Sequence, residues 1–113
     1  MRLTHINRIV SEHFGITSQS LQTEDIEPNI LPRYIAMHFM KKLAGHTHKA
    51  IDEFYSKKGR LKQRTQYAAK YVEDRLNHPD EVKLQIIMAR LEKQIVGSWE
   101  LQKLSLEGLK SGK

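Results

Sequence analysis

The chain has 113 residues, a formal net charge of +6 and no cysteine. This length supports one hydrophobic core and excludes a motor or a large catalytic fold, and the basic charge favours an anionic partner. Without cysteine, disulfide frameworks, thiolate catalysis and cysteine-based zinc fingers are excluded, which fits a reducing compartment. The opening residues lack the apolar run of a signal peptide and no later stretch resembles a membrane span. We therefore expect a cytoplasmic protein with no membrane partner.

The first part of the chain predicts one helix, one short helical turn and a loop. Apolar residues at helical spacing over residues 3–14 predict the first helix, and Gly15 follows as its C-terminal cap. A short turn of helix carries Leu21. The segment 22–30 is polar and acidic and contains Pro28, which is typical of a loop.

Two further helices are predicted in the middle of the chain. Pro32 suits the first turn of the second full helix, whose apolar stripe ends before Gly45. Thr47 is a plausible N-cap for a third, short helix that presents Tyr55 to the core. The segment 56–59, Ser-Lys-Lys-Gly, supplies the turn that closes this helix.

A fourth helix follows the glycine turn directly. It stops before Pro79, because proline inside a helix costs about 3 kcal/mol. The residues predicted to face inward are Leu61, Thr65, Ala68, Ala69, Val72 and Leu76. Two helices joined by a short glycine turn, the second opening in a basic run, predict a helix-turn-helix. We assign residues 1–78 to this domain and residues 79–113 to a C-terminal helical extension.

The extension carries two apolar stripes on one helix. Leu84, Ile87, Met88, Leu91 and Ile95 lie on one side, and Val82, Ile86, Ala89 and Val96 lie nearly opposite. This is more apolar surface than one flank of a small bundle covers. One stripe is expected to pack on the helix-turn-helix core. The other meets either a second copy of the chain, as a homodimer through residues 82–104, or the segment from Trp99 to Leu106 folded back.

A group of basic and polar residues forms the candidate DNA-binding surface. Cations neutralise phosphates and release counterions, while Arg and Gln read base edges in the major groove. Most of the group lies at the entry of the fourth helix, and the rest lies on the second and third helices, where contacts to the DNA backbone would position the domain. The alternative is a solvated basic face without a partner. The candidates are Arg33, Lys42, His48, Lys49, Lys57, Lys58, Arg60, Lys62, Gln63, Arg64, Gln66 and Tyr67.

Catalytic and cofactor motifs are missing from the sequence. There is no Gly-rich phosphate loop and no Ser-His-Asp order, and the six histidines stand without a carboxylate at metal-ligand spacing. We expect no enzyme activity, no cofactor and no metal site.

Two stretches of the sequence resemble the C-terminal DNA-binding domain of DnaA, the bacterial chromosomal replication initiator. The first is residues 9–17, Ile-Val-Ser-Glu-His-Phe-Gly-Ile-Thr, followed by Leu21. The second is residues 32–43, of which the opening Pro-Arg-Tyr-Ile-Ala-Met is the most specific piece. The resemblance covers about residues 5 to 76. It implies an all-α, Trp-repressor-like helical bundle with a helix-turn-helix that recognises short origin sequences in duplex DNA, in a free-standing and divergent form.

The resemblance also implies roles for particular residues. Arg33 would hold a phosphate, Lys42 would lie near the DNA backbone, and the helix from Thr47 to Tyr55 would be the first helix of the motif. The sequence departs from the family where Asp-His-Thr-Thr would open the recognition helix, since residues 62–66 read Lys-Gln-Arg-Thr-Gln. The loop at residues 23–27 is acidic where the family's is basic, and no Walker-type loop is present.

Two functions follow from these observations. The first is a double-stranded DNA-binding module without ATPase activity, acting as a sequence-specific regulator or replication-associated accessory factor. The second is a protein-protein interaction module that keeps the scaffold but has lost DNA readout and works through its C-terminal helix. Binding to random duplex DNA distinguishes the two.

Overall fold

The structure is a computed structural model that describes residues 1–56 and 65–111, and it is all-α. Within these residues the helices are α1 Leu3–His13, α2 Ser18–Thr23, α3 Glu27–Lys42, α4 His48–Ser56, α5 Thr65–Leu76 and α6 Val82–Ser111. No strand occurs in this part of the chain. The predicted all-α class is confirmed. None of the helices found over the described ranges combines the length and the apolar character that a membrane crossing requires.

Helix α3 is the centre of the fold. It contacts α1, α2, α4 and α5. Every residue from 32 to 40 is buried, and Ile35, Met37 and Met40 have no exposed surface. A helix surrounded on all sides needs apolar groups around its whole circumference. The central run of α3 meets this requirement, apart from Arg33 and His38, which are also buried.

The start of α3 differs from the sequence prediction. The helix begins at Glu27 and has Pro28 in its first turn, so Pro32 lies inside the helix. The predicted loop over residues 22–30 is therefore wrong, because α2 continues to Thr23 and only residues 24–26 separate the two helices. Long-range hydrogen bonds explain the difference: the side-chain amide of Asn29 donates to the backbone carbonyl of Ser20 at 3.0 Å.

Arg33 is the largest fully buried side chain described. Its Nε–H donates to the backbone carbonyl of Leu21 at 3.0 Å, a second guanidinium nitrogen donates to the carbonyl of Glu24, and the third lies 3.8 Å from a carboxylate oxygen of Asp25. The last carbonyls of a helix lack partners within it and favour a cation. Arg33 thus supplies the C-terminal cap of α2. Desolvation by burial lowers the pKa of the guanidinium, with Tyr55 and Asp25 opposing the shift.

The predicted end of α1 is confirmed in detail. Gly15 has φ +68°, a conformation that L side chains rarely adopt. Its N–H donates to the carbonyl of Glu12 at 3.2 Å, and the N–H of Ile16 donates to the carbonyl of Ser11 at 2.9 Å. This pair of bonds is the Schellman arrangement, which satisfies carbonyls left unpaired at a helix end.

Helix α6 is one continuous helix of 30 residues. The alternative in which the segment from Trp99 to Leu106 folds back is therefore wrong. Leu84, Met88, Leu91 and Ile95 are buried in the same core cluster as residues of α1, α3 and α5. The predicted boundary at residue 79 falls in the connection between α5 and α6. Across this connection the guanidinium of Arg75 donates two hydrogen bonds to the carboxylate of Glu81, at 2.9 and 3.1 Å.

His5 anchors the far part of α6 to α1. Its Nε2–H donates to the backbone carbonyl of Ile95 at 3.2 Å, and its ring lies 5.4 Å from the ring of Trp99. His5 is only 5% exposed. Beyond Trp99, residues 100–104 are all exposed, so this part of α6 extends past the core.

The buried cap predicts a large stability loss for Arg33→Met. The variant keeps most of the side-chain volume but leaves the carbonyls of Leu21 and Glu24 without their donors, which we expect to lower the free energy of unfolding by about 2–4 kcal/mol. Urea denaturation measures this change. Lys41→Met is the matched control on the exposed side of α3, with an expected change within about 0.5 kcal/mol. A loss below about 1 kcal/mol for Arg33→Met would show that the guanidinium is not structural.

Candidate nucleic-acid interface

The basic segment lies between α4 and α5, outside the described residues. Six of the predicted DNA-binding residues fall there: Lys57, Lys58, Arg60, Lys62, Gln63 and Arg64. The structure fixes the two helix ends that the segment joins, Ser56 at the end of α4 and Thr65 at the start of α5. In the sequence, the basic residues of this segment directly precede α5.

A carboxylate on α4 holds the first residue of α5. Asp52 Oδ1 accepts a hydrogen bond from the backbone N–H of Thr65 at 2.7 Å and another from its hydroxyl at 2.6 Å. Thr65 has no exposed surface. The N-terminus of a helix favours a negative group, so this contact both caps α5 and ties it to α4. Thr65 was predicted to face inward, whereas the role of Asp52 was not predicted.

The outward face of α5 begins with polar and aromatic residues. Gln66 and Lys70 are exposed, and Tyr67 is 61% exposed. The rings of Tyr67 and Tyr71 are stacked with centroids 6.3 Å apart. Beneath them lies buried Tyr34 of α3, whose ring meets the ring of Tyr67 at 5.9 Å edge to face. Burial raises the pKa of the Tyr34 hydroxyl above its usual value.

Sequence reasoning named Gln66 and Tyr67 but missed Tyr71. Tyr71 is 36% exposed, and the guanidinium of Arg75 lies 5.6 Å from its ring centroid. The spacing of four residues from Tyr67 was the available signal, because residues i and i+4 share a helix face. The described part of this face is thus a platform of two tyrosines flanked by one glutamine and one lysine.

Lys42 lies at the C-terminal end of α3, where its ammonium is 2.8 Å from a carboxylate oxygen of Glu92 on α6. The two side chains are 56% and 40% exposed. Exposed pairs of this kind are worth about 0–1 kcal/mol, so a phosphate could replace Glu92 at small cost. Lys42 also lines a cleft with His38, Lys41 and Glu73.

His48 and Lys49 open α4. His48 is half-buried and Lys49 is exposed. Thr47 caps the helix, since its hydroxyl oxygen accepts a hydrogen bond from the N–H of Ala50 at 3.1 Å. The predicted N-cap is confirmed. Lys49 adds its charge to the positive end of the α4 dipole, and both favour the binding of an anion.

Arg33 does not belong to this surface. It was named as a phosphate contact by resemblance, yet its guanidinium lies in the interior between α2 and α3 and has no exposed surface. The physical reason is that the carbonyls at the end of α2 need hydrogen-bond donors, which the Arg33 guanidinium supplies. Among the residues that the structure covers, no group of three or more His, Asp or Glu side chains stands close enough together to hold a metal ion.

No family model, no curated protein and no solved structure matches this chain.

The Asp52 contact predicts a stability loss that its neighbour does not share. Asp52→Ala removes the acceptor from both bonds of Thr65, which we expect to lower the free energy of unfolding by about 1–3 kcal/mol. Glu53→Ala, an exposed acid one position away, is the control and should stay within about 0.5 kcal/mol. Equal behaviour of the two variants in urea denaturation would contradict the proposed cap.

His38 predicts a loss of stability in acid. Burial, then Lys42, lowers the pKa of its imidazole below 6.5, with the carboxylates of Glu73 and Glu92 opposing. The unfolded chain then binds this proton more readily than the folded one, so stability is complete above about pH 6.5 and declines as the pH falls through the folded pKa. His38→Gln should remove this part of the decline in urea midpoints measured across that range. His13→Gln, at an exposed imidazole, should retain it, and an unchanged profile for His38→Gln would refute the assignment.

Proposed function

We propose that this chain is a double-stranded DNA-binding module of the helix-turn-helix type, with α4 as the first helix and α5 as the recognition helix. One observation carries the proposal. Helix α5 exposes a face formed by Gln66, Tyr67, Lys70 and Tyr71. Asp52 ties the start of this helix to α4, and the basic segment 57–64 directly precedes the helix in the sequence.

The first half of α5 is the part suited to a groove. Recognition helices contact base edges through their N-terminal residues, and the glutamine amide can pair with adenine while a tyrosine ring can pack against a thymine methyl group. The acids Glu73 and Asp74 are exposed further along the helix. Their charge would repel phosphates, which limits contact to the turns from Gln66 to Tyr71.

Cations outside α5 would supply affinity rather than sequence preference. Lys49 at the start of α4 and Lys41 and Lys42 at the end of α3 lie on the two helices that precede α5, where phosphate contacts fix the register of a domain on the duplex. The cysteine-free composition fits action in the reducing cytoplasm, and we propose a regulator or replication-associated accessory role without ATPase activity.

A second candidate function is protein binding through α6, as a homodimer through residues 82–104 or with another protein. The observation that favours it is the exposure of apolar side chains along this helix, among them Ile86, Leu101 and Leu104 at 48%, 69% and 62%. Both functions can coexist in one chain, because the apolar residues lie on α6 and the candidate DNA face lies on α5.

Binding to duplex DNA of random sequence, measured by fluorescence anisotropy at several salt concentrations, tests the first function. Neutralising about five phosphates gives a slope of roughly −4 to −5 in a plot of log K against log salt. Lys49→Ala and Lys70→Ala should each reduce the magnitude of the slope by about 1.

Lys83→Ala is the matched control for these two variants. Lys83 is exposed near the start of α6. In the sequence, the whole of α5, with 12 residues or about 18 Å of helix, lies between the basic segment and Lys83. Lys83→Ala should leave the slope unchanged. A wild-type slope near zero would remove DNA binding as the function and leave α6 as the working surface.

A further inference from the structure

Helix α6 carries a second row of residues on the side away from the core. We call Val82, Ile86, Ala89, Lys93, Val96, Glu100 and Leu104 the outer row. All seven are exposed. Val82 is 54% and Val96 is 38% exposed. From Val82 to Glu100 the steps alternate between four and three residues, which is the spacing of the seam in a pair of packed helices.

The part of α6 directly beyond Trp99 is exposed to solvent. Residues 100–104 are exposed and the helix continues to Ser111, so about 18 Å of helix extends beyond Trp99. Helical stability in proteins comes mainly from packing of one face against a neighbour. Residues 100–104, which we call the overhang, expose such a face to solvent, where a second chain can pack against it.

Two charges in the outer row distinguish the possible orientations of a second copy. In a parallel pair, Lys93 would face Lys93 and Glu100 would face Glu100, which places like charges together within an apolar contact. In an antiparallel pair with its twofold axis between Val96 and Gly97, Lys93 of each copy lies opposite Glu100 of the other. Both repulsions then become attractions.

The same antiparallel register fits the sizes of the side chains. Ala89 of one copy lies opposite Leu104 of the other, so a small residue meets a large one. At the axis, Gly97 is exposed and has no side chain, so the two backbones can approach closely there. The overhang of each copy then covers the part of the outer row from Ala89 to Lys93 on the other.

We propose that the outer row of α6 binds a second copy of this chain in antiparallel orientation, with the twofold axis between Val96 and Gly97 and with reciprocal Lys93–Glu100 pairs. The inference rests on the second candidate function, protein binding through α6, and adds the partner, the orientation and the register. It does not rest on DNA binding and is tested without DNA. Should the chain also bind duplex DNA, the twofold axis would relate two recognition helices and lead to a palindromic site.

Sedimentation of the full chain over a range of concentrations tests the association itself. We expect a dimer for the wild type and a monomer for the double variant Ile86→Ser/Val96→Ser, whose positions are exposed and whose helical circular dichroism should be unchanged. A wild type that is monomeric at every concentration overturns the proposal, whatever the outcome of DNA binding.

Charge exchange tests the orientation. Lys93→Glu should weaken the dimer by about tenfold or more, because two carboxylates then face each other in each pair. The double variant Lys93→Glu/Glu100→Lys should restore the wild-type dissociation constant, since it reverses both charges of each reciprocal pair. Lys83→Glu makes the same charge change outside the outer row and should have little effect. Failure of the double variant to recover would overturn the antiparallel register.

Single cysteines provide an independent readout, because the natural chain contains none. Val96→Cys, beside the axis, should form a disulfide between two copies under mild oxidation. Val82→Cys should not, because 29 residues of helix, or about 43 Å, would separate the two sulfurs. Rapid cross-linking of Val82→Cys would indicate the parallel arrangement and contradict the proposal.

Discussion

The buried guanidinium of Arg33 is the interaction on which the arrangement of the first five helices depends. Helix α2 has only six residues, too few to be stable alone, and its last carbonyls need donors. Arg33 provides them from the middle of α3. Once α2 is fixed, the side-chain amide of its Gln22 donates to the carbonyl of Phe54 on α4 at 2.9 Å.

The same chain of contacts reaches the candidate DNA surface. Helix α4 carries Asp52, and Asp52 holds Thr65 at the start of α5. A second polar link supports α4, since the hydroxyl of buried Tyr55 donates to the side-chain oxygen of Asn7 on α1 at 2.9 Å. The exposed tyrosines of α5 thus stand on a framework whose geometry is set by directional polar bonds, in addition to the apolar core.

Local signals predicted what local physics controls. The cap at Gly15, the cap at Thr47 and the stop before Pro79 depend on residues within one turn of the chain, and all three are found. The start of α3 was wrong because Pro28 and Pro32 both satisfy the local rule. The choice between the two prolines depends on hydrogen bonds from Asn29 and Arg33 to α2. The spacing of apolar residues in the sequence carries no information about these bonds. For the same reason, sequence reasoning treated Arg33 as a surface cation, and it could not settle whether α6 folds back.

The position of Trp99 allows the docking of α6 to be followed by tryptophan fluorescence. It is the single tryptophan of the chain, it is partly buried, and it lies against His5 where α6 leaves the core. Indole emission responds to local solvent and to a neighbouring ring. The natural protein therefore contains its own fluorophore at the boundary between the packed and the projecting parts of its longest helix, and no dye is needed to follow events there.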